Sequence, residues 1–225
     1  MNEYNVVSLF SSPIIQLMID EDTDELKQSK DYTVSYNQDR EQEATYADSV
    51  PVGGKRVLEE FPRIKKLILD KFNFAAEEIL RYKKRQYSIT SSWLTSTGKG
   101  QFSQTHNHRN SFYSGVYYYD EYPEGSGGIS FSNPNIELGD FFFAHQDLEE
   151  STMINSLAWN FIPRKNELIL FPSYLRHAIL THEADNVRHS LAFNIVPLGN
   201  WGDADSSYHM SWTVPEYISG LTQNE

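Results

Sequence analysis

The sequence predicts a mainly β protein, a jelly roll with one long helix packed on one of its sheets. Three observations support this fold class. Beyond residue 85 the chain consists of short apolar or alternating segments separated by Gly and Pro. One long segment before that point has a helical period, and no internal repeat is present. Many short strands after one helix are typical of a jelly roll. A length of 225 residues suits one β domain, so we expect a single domain over residues 1–225.

The first half of the chain carries the predicted helix. Residues 6–19 read as a strand, a turn at Ser12-Pro13 and a second apolar segment. Between residues 59 and 84, apolar residues recur at spacings of three and four, which predicts an amphipathic helix. The apolar positions are Phe61, Ile64, Leu67, Ile68, Phe72, Ala75, Ala76, Ile79 and Leu80.

The second half is predicted to form strands. Alternating or apolar segments between turn residues give the strands, and residues 135–155 lack any period and are predicted to form an insertion or lid. The predicted strands are 87–95, one starting within 101–108, then 114–120, 129–132, 157–162, 167–171, 177–180 and 190–196.

Composition limits the function classes. Nineteen basic and 31 acidic residues give a net charge of −12, which disfavours nucleic-acid or anionic-membrane binding and favours neutral or basic substrates. With no cysteine in the chain, a metal would be held by His, Asp or Glu. No basic, then apolar segment opens the chain, and no apolar run approaches the roughly 20 residues that span a bilayer. We therefore expect a cytoplasmic protein.

Three histidines form the candidate metal site. His106 and His108 stand at i and i+2 in a predicted strand, so their side chains point to the same face. His177 begins a distant predicted strand and could complete three nitrogen ligands around one ion. Imidazole nitrogens suit Fe(II). The alternative for each histidine is an ordinary surface or core residue.

Arg188 follows His177 by eleven residues and could hold the carboxylate of a cosubstrate beside the metal. Arg188 would lie on the last strand with Ser190, Ala192 and Asn194 on its face. A guanidinium beside a hydroxyl suits a terminal carboxylate, because its fork binds two oxygens at once. Tyr118 could add a second donor. Two alternatives remain: Arg188 could pair with Glu183 or Asp185, and Tyr118 could be packing only.

These residues carry a family resemblance that covers most of the chain. The sequence resembles the iron(II)- and 2-oxoglutarate-dependent oxygenases, specifically a small branch with His-x-His in place of His-x-Asp. Residues 114–118 (SGVYY) and 127–131 (GGISF) are also similar to strands of the prolyl hydroxylases in that superfamily. Segments 92–108 and 167–194, with 9–14 (LFSSPI) at the start, complete the resemblance.

The resemblance implies a double-stranded β-helix, which is a jelly roll, and an assignment of the site residues. His106, His108 and His177 would be ligands of Fe(II). Arg188 and Ser190, helped by Tyr118, would bind the distal carboxylate of the cosubstrate 2-oxoglutarate. With O2, the enzyme would hydroxylate a C–H bond of a small-molecule or peptide substrate and release succinate and CO2. A peptidyl proline is one candidate substrate.

The sequence departs from the family pattern at two positions. At His108 an imidazole replaces the carboxylate ligand, which makes the site one charge unit more positive. Asn166 stands before Glu167 where such enzymes often have Gly, and Asn tolerates the left-handed conformation.

Two rival functions remain at this stage. Gly100 followed by His106-x-His108 matches the opening of a cupin motif, although the glutamate expected shortly afterwards is missing from residues 109–120. A non-catalytic jelly-roll binding or structural module is the second rival. Its histidines would be dispersed or would hold a closed structural zinc site.

Overall fold

The computed structural model describes residues 11–23, 25–26, 56–134, 148–201, 205 and 210–212. These residues form a mainly β structure with one α-helix, as predicted. The elements in chain order are β1 (Ile15–Met18), a 3-10 turn (Val57–Glu59), α1 (Pro62–Phe74), a π-helical turn (Ala75–Ile79), β2 (Tyr87–Thr97), β3 (Tyr113–Tyr118), β4 (Ile129–Ser132), β5 (Ala158–Phe161), β6 (Glu167–Pro172), β7 (His177–Ile179), β8 (Arg188–Pro197), β9 (Gly199–Trp201) and β10 (Met210–Trp212).

Two antiparallel sheets build the described part of the jelly roll. The major sheet has the order β1-β6-β3-β8-β2, and the minor sheet has the order β5-β4-β7. The long β2 pairs with β8 along nearly its whole length, from Tyr87 opposite Pro197 to Thr97 opposite Arg188. Outside these sheets, β9 and β10 pair as a short hairpin.

The major sheet has two apolar faces. On one face, the β8 residues Leu191, Phe193 and Ile195 pack in the same buried cluster as α1. On the other face, Val116 of β3 and Phe171 of β6 pack with the minor sheet. Side chains alternate along a strand, so the β8 residues that alternate with Leu191, Phe193 and Ile195 face the minor sheet. The predicted orientation of β8 is therefore confirmed.

The helix is shorter than its apolar period suggests. Residues 59–84 were expected to be helical, but α1 ends at Phe74 and a π-helical turn follows to Ile79. The amide of Tyr82 then donates to the carbonyl of Ala76 at 2.8 Å, and Arg81 takes a φ of 59°. A residue in the left-handed conformation, together with a hydrogen bond between residues six positions apart, is a common end of a helix.

The packing of α1 on the major sheet is aromatic at its C-terminal end. The ring of Phe72 meets Tyr87 edge-on at 4.8 Å and lies 5.4 Å from Tyr113. Ile68 and Ile64, one and two turns earlier, are fully buried on the same side of the helix. The predicted packing of the helix on one sheet is confirmed. None of the described helices is long and apolar enough to cross a membrane.

Residues 101–108, expected to start a strand, form no regular strand and run beside β7 with one isolated β-bridge, between His106 and His177. The amide of Ser103 donates to the carbonyl of Ile179 at 3.0 Å. His106 and His177 exchange both backbone hydrogen bonds, at 2.9 and 2.8 Å. Three steps along this segment thus match two steps along β7, which is a β-bulge and breaks the regular ladder. The prediction of a strand in this segment was therefore wrong.

Two predicted segments fall largely outside the described residues. Residues 6–10 of the first strand and residues 135–147 of the expected lid are not described. Residues 148–155 contain turns and bends and no strand or helix, in agreement with their lack of period.

Gly115 lies in β3, at a position where a side chain has no space. A Cβ at this position would lie 2.8 Å from Cε2 of Phe193 and 3.0 Å from the carbonyl oxygen of Ile169. We expect Gly115→Ala to lower the free energy of unfolding by about 1–3 kcal/mol through overpacking. Urea denaturation measures this loss. Gly98→Ala is the control, because its Cβ would meet only the flexible Gln101 side chain at 3.4 Å.

Candidate metal centre

The three predicted histidines meet at one end of the minor sheet. The bulged segment carries His106 and His108, and β7 begins with His177. Their rings lie 4.5 to 5.1 Å apart between centroids. One nitrogen from each ring lies within 4.8 Å of the other two, close enough to hold one metal ion. His106 is exposed, His108 half-buried and His177 buried, so the group opens on one side.

The backbone sets the orientation of two of these rings. Nδ1 of His106 donates to the carbonyl of Gln104 at 2.8 Å, and Nδ1 of His177 donates to the carbonyl of Leu175 at 2.9 Å. Since a carbonyl can only accept, Nδ1 carries the proton and Nε2 keeps its lone pair. These imidazoles are thus in the tautomer whose Nε2 can bind a metal.

His177 is held in its neutral form. Burial lowers its pKa to about 3, against the opposing effect of the Leu175 carbonyl and with a further lowering by His106 and His108. At neutral pH the ring is therefore an uncharged nitrogen donor. Metal binding at this position needs no proton release.

A buried hydroxyl chain fixes the segment before β7. Ser173 Oγ lies 2.7 Å from Ser114 Oγ, which donates to Asn194 Oδ1 at 2.7 Å. The amide of His108 donates to the carbonyl of Ser173 at 2.9 Å. Ser173 thus ties both histidine-bearing segments to β3 and β8. The same hydroxyls satisfy each other in the protein interior, where unpaired polar groups are costly.

Arg188 is buried and has no counterion among the described residues. It is 1% exposed, its Nη1 donates to Ser190 Oγ at 3.3 Å, and its Nη2 donates to the Tyr118 hydroxyl at 3.2 Å. Its Nε is buried with no hydrogen-bond partner. Among the described residues it makes no ion pair, and Asp185 pairs with Lys99 at 2.6 Å instead. Within the part of the chain that the structure describes, the alternative pairing of Arg188 with Glu183 or Asp185 is therefore wrong.

The two hydroxyls beside Arg188 can both donate. Burial raises the pKa of Tyr118, partly offset by Arg188, so its hydroxyl stays protonated. Because that oxygen accepts from Arg188, its own proton is available to another acceptor. Ser190 Oγ lies 2.6 Å from Thr95 Oγ1, and its proton is free for another acceptor when Thr95 donates to it rather than to the Ser190 carbonyl, which lies 3.5 Å from Thr95 Oγ1.

One cavity joins the two groups. All six predicted site residues line it: His106, His108, His177, Tyr118, Arg188 and Ser190. It therefore holds three imidazole nitrogens at one place and a buried cation with hydroxyl donors at another. An uncompensated guanidinium in the interior is costly and calls for an anion. The residues present thus fit a divalent metal ion together with a carboxylate-bearing cosubstrate.

Trp93 and Thr95 are among the cavity residues that sequence reasoning missed. Trp93 lies edge-on to His108 with ring centroids 5.7 Å apart, and Thr95 hydrogen-bonds Ser190. Both lie on β2 and line the cavity. Their alternation on β2 was visible in the sequence, but the register that places Thr95 opposite Ser190 was not.

Comparison with known proteins gives one family match. Residues 91–194 match the model of the family described as "Putative 2OG-Fe(II) oxygenase", where 2OG is 2-oxoglutarate. All six site residues lie inside the matched region. No curated protein matches the sequence.

Three solved structures illustrate the shared fold. A 2OG-Fe(II) oxygenase family oxidoreductase from Burkholderia pseudomallei is 16% identical, with 81% of this chain and 84% of that chain covered and a TM-score of 0.52. The epimerase SnoN from nogalamycin biosynthesis is 9% identical, with coverages of 88% and 84% and a TM-score of 0.56. HygX from Streptomyces hygroscopicus, with nickel, 2-oxoglutarate and hygromycin B bound, is 10% identical, with 83% of each chain covered and a TM-score of 0.52.

These relatives confirm the double-stranded β-helix expected from the sequence. The family match over residues 91–194 adds the activity, since the family requires Fe(II), 2-oxoglutarate and O2. The protein is therefore an Fe(II)- and 2-oxoglutarate-dependent dioxygenase, whose residues 91–194 are similar to the 2OG-Fe(II) oxygenase family.

Proposed function

We propose that His106, His108 and His177 bind the iron, and that Arg188, Ser190 and Tyr118 bind the distal carboxylate of 2-oxoglutarate. The observation that supports this assignment is the buried Arg188, whose charge has no counterion among the described residues. It lines the same cavity as the three imidazoles. A linear dicarboxylate with one end at the histidines and the other at Arg188 would satisfy both groups.

The charges of the site support an anionic cosubstrate. Bound iron, with 2-oxoglutarate and O2, supplies the oxidation of a substrate C–H bond with release of succinate and CO2. Three neutral imidazoles leave the +2 charge of Fe(II) uncompensated, unlike a set that includes a carboxylate. The keto acid end of 2-oxoglutarate would bring the missing negative charge. Ser190 and Tyr118 would orient the other end by donating to it.

The substrate is the part of the function that is least constrained. We propose hydroxylation of a small organic molecule, supported by the HygX structure that contains hygromycin B. A peptidyl proline is the second candidate, from the resemblance of residues 114–118 and 127–131 to prolyl hydroxylase strands. Cytoplasmic location stays a prediction, with which the absence of cysteine is compatible.

Succinate formation from 2-oxoglutarate tests the proposed function. Purified protein with Fe(II), O2 and 2-oxoglutarate should form succinate, followed by NMR, even without a prime substrate. Ni(II) in place of Fe(II) should abolish succinate while leaving 2-oxoglutarate bound. No succinate and no 2-oxoglutarate binding would favour the cupin. A closed four-ligand zinc site would favour the structural module.

The third imidazole can be tested by restoring the usual carboxylate. We expect His108→Asp to keep metal binding and succinate formation within about tenfold of the native protein, because Asp supplies the common ligand set. His108→Ala should weaken metal binding by more than about tenfold. Both are measured by titration with Co(II) and by succinate release. Equal metal affinity of His108→Ala and native protein would remove His108 from the ligand set.

A further inference from the structure

A second and larger cavity lies outside the barrel. It is a surface cleft of about 1020 Å³. It shares no lining residue with the cavity that contains the histidines. A volume of this size can hold a small organic molecule. Neither the family match nor the proposed roles assign anything to it.

The cleft lies on the back of the two histidine-bearing segments. Thr105, Asn107 and Arg109 line it, and they alternate with His106 and His108. Arg176, next to His177, lines it as well. Residues 106 and 177 are bridged, and Asn107 Nδ2 donates to the carbonyl of Tyr174 at 3.2 Å, so the two segments run side by side. Side-chain alternation therefore sends imidazoles to one side and these residues to the other.

The cleft is locally positive in an acidic protein. Arg109 and Arg176 line it, and no Asp or Glu is among its described lining residues. Neither arginine makes an ion pair within the described part of the chain. Many other cations there are neutralised by carboxylates: Arg56, Arg63, Lys65, Lys66, Arg81, Lys99, Arg164 and Lys165. The chain has a net charge of −12. In such a chain, two arginines that lie in one concave site without a described carboxylate partner indicate a site for an anion.

The remaining wall combines apolar surface and hydroxyl donors. Phe112 and Pro172 provide apolar surface, and the ring of Tyr82 lies 5.6 Å from that of Phe112. Tyr113 also lines the cleft, and burial, with Tyr82 nearby, raises the pKa of its hydroxyl, which stays a donor at neutral pH. An aromatic or aliphatic body with one acidic group matches this wall.

We propose that this cleft is a second binding site, for an organic anion whose carboxylate or phosphate is held by Arg109 and Arg176. Guanidinium groups bind such oxyanions through two parallel hydrogen bonds. Tyr82 and Phe112 would contact the apolar body of the ligand. The proposal departs from the expectation of neutral or basic ligands based on net charge, because local charge decides binding in a cleft. It does not rest on the assignment of the iron ligands.

Four small probes test the site. Benzoate, phenyl phosphate, benzyl alcohol and benzylammonium are titrated by ligand-observed NMR into protein that contains Ni(II) and one equivalent of 2-oxoglutarate, so that excess cosubstrate does not compete for the cleft. The cosubstrate keeps benzoate away from Arg188. We expect benzoate or phenyl phosphate to bind at least tenfold more tightly than the neutral and cationic probes. Arg109→Gln and Arg176→Gln should each weaken anion binding about tenfold, the usual loss for one charge-assisted contact.

Two controls separate this site from others. Lys99→Gln removes an exposed cation that pairs with Asp185 outside the cleft, and it should leave anion binding unchanged. Arg188→Gln should also leave it unchanged, whatever happens to 2-oxoglutarate. Loss of probe binding in Arg188→Gln would assign the probes to the barrel and overturn the proposal. So would equal binding of all four probes, or native affinity in both cleft variants. A preference for benzoate over phenyl phosphate, or the reverse, identifies the acidic group.

Discussion

His177→Ala is expected to abolish metal binding and, with it, succinate formation. His177 is one of three neutral nitrogen donors, and its Nδ1 is already hydrogen-bonded to the Leu175 carbonyl so that Nε2 is available. Since loss of an outer-shell partner alone costs about 10–100-fold in affinity, loss of the ligand should cost more than about 100-fold. Titration with Co(II) measures it, with quenching of the Trp93 fluorescence as a readout because that ring lies against His108.

The control for this variant must separate ligation from folding. His177 is buried and its backbone bridges His106, so alanine leaves a small cavity. His177→Gln keeps most of the volume and should lose the metal equally. Native circular dichroism with no metal binding supports the ligand role. Metal binding at native affinity in both variants would remove His177 from the ligand set and leave an ordinary core histidine.

Arg188→Gln is expected to weaken 2-oxoglutarate binding by two to three orders of magnitude. Truncating one member of a buried charge pair costs about 2–5 kcal/mol, which corresponds to roughly 30-fold to several thousand-fold in affinity. The protein without ligand should lose little stability, because the substitution also removes a buried charge that has no described counterion. The apparent Kd for 2-oxoglutarate and its effect on Tm measure the two parts separately.

The thermal shift makes this prediction independent of turnover. A ligand at 100 times its Kd stabilises the native state by about 2.7 kcal/mol, so 2-oxoglutarate should raise the Tm of the native protein and not that of Arg188→Gln. Arg188→Lys keeps the charge without the planar fork and should give an intermediate affinity. An unchanged ligand-induced shift in Arg188→Gln would place the carboxylate elsewhere.

Much of the fold and site was predictable because both depend on local periodicity. The alternation along β8 separated Arg188 and Ser190 from Leu191 and Phe193, and the structure places the two pairs on opposite faces of the sheet. Asn166 takes a φ of 64°, the left-handed conformation that Asn tolerates at a position where the family resemblance implied Gly. These features require only the chain near each residue.

Features that depend on distant partners were not predictable. The bulge between Ser103 and His106 exists only relative to β7, and an isolated segment shows no sign of it. Thr95 reaches Ser190 through a register set over the full length of β2 and β8. The choice between Asp185 and a ligand as the partner of Arg188 likewise depended on where Lys99 lies.

The hydrogen bonds to Gln104 and Leu175 have a consequence for how the site can evolve. Their acceptors belong to the main chain, so substitutions of those two side chains leave the imidazole orientation intact. A carbonyl is also a weaker base than the carboxylate that often supports a ligating histidine, so it does not take the Nδ1 proton from the ring. The backbone geometry at these two carbonyls therefore sets how strongly the two rings donate electrons. A change in this property requires a change in the backbone conformation.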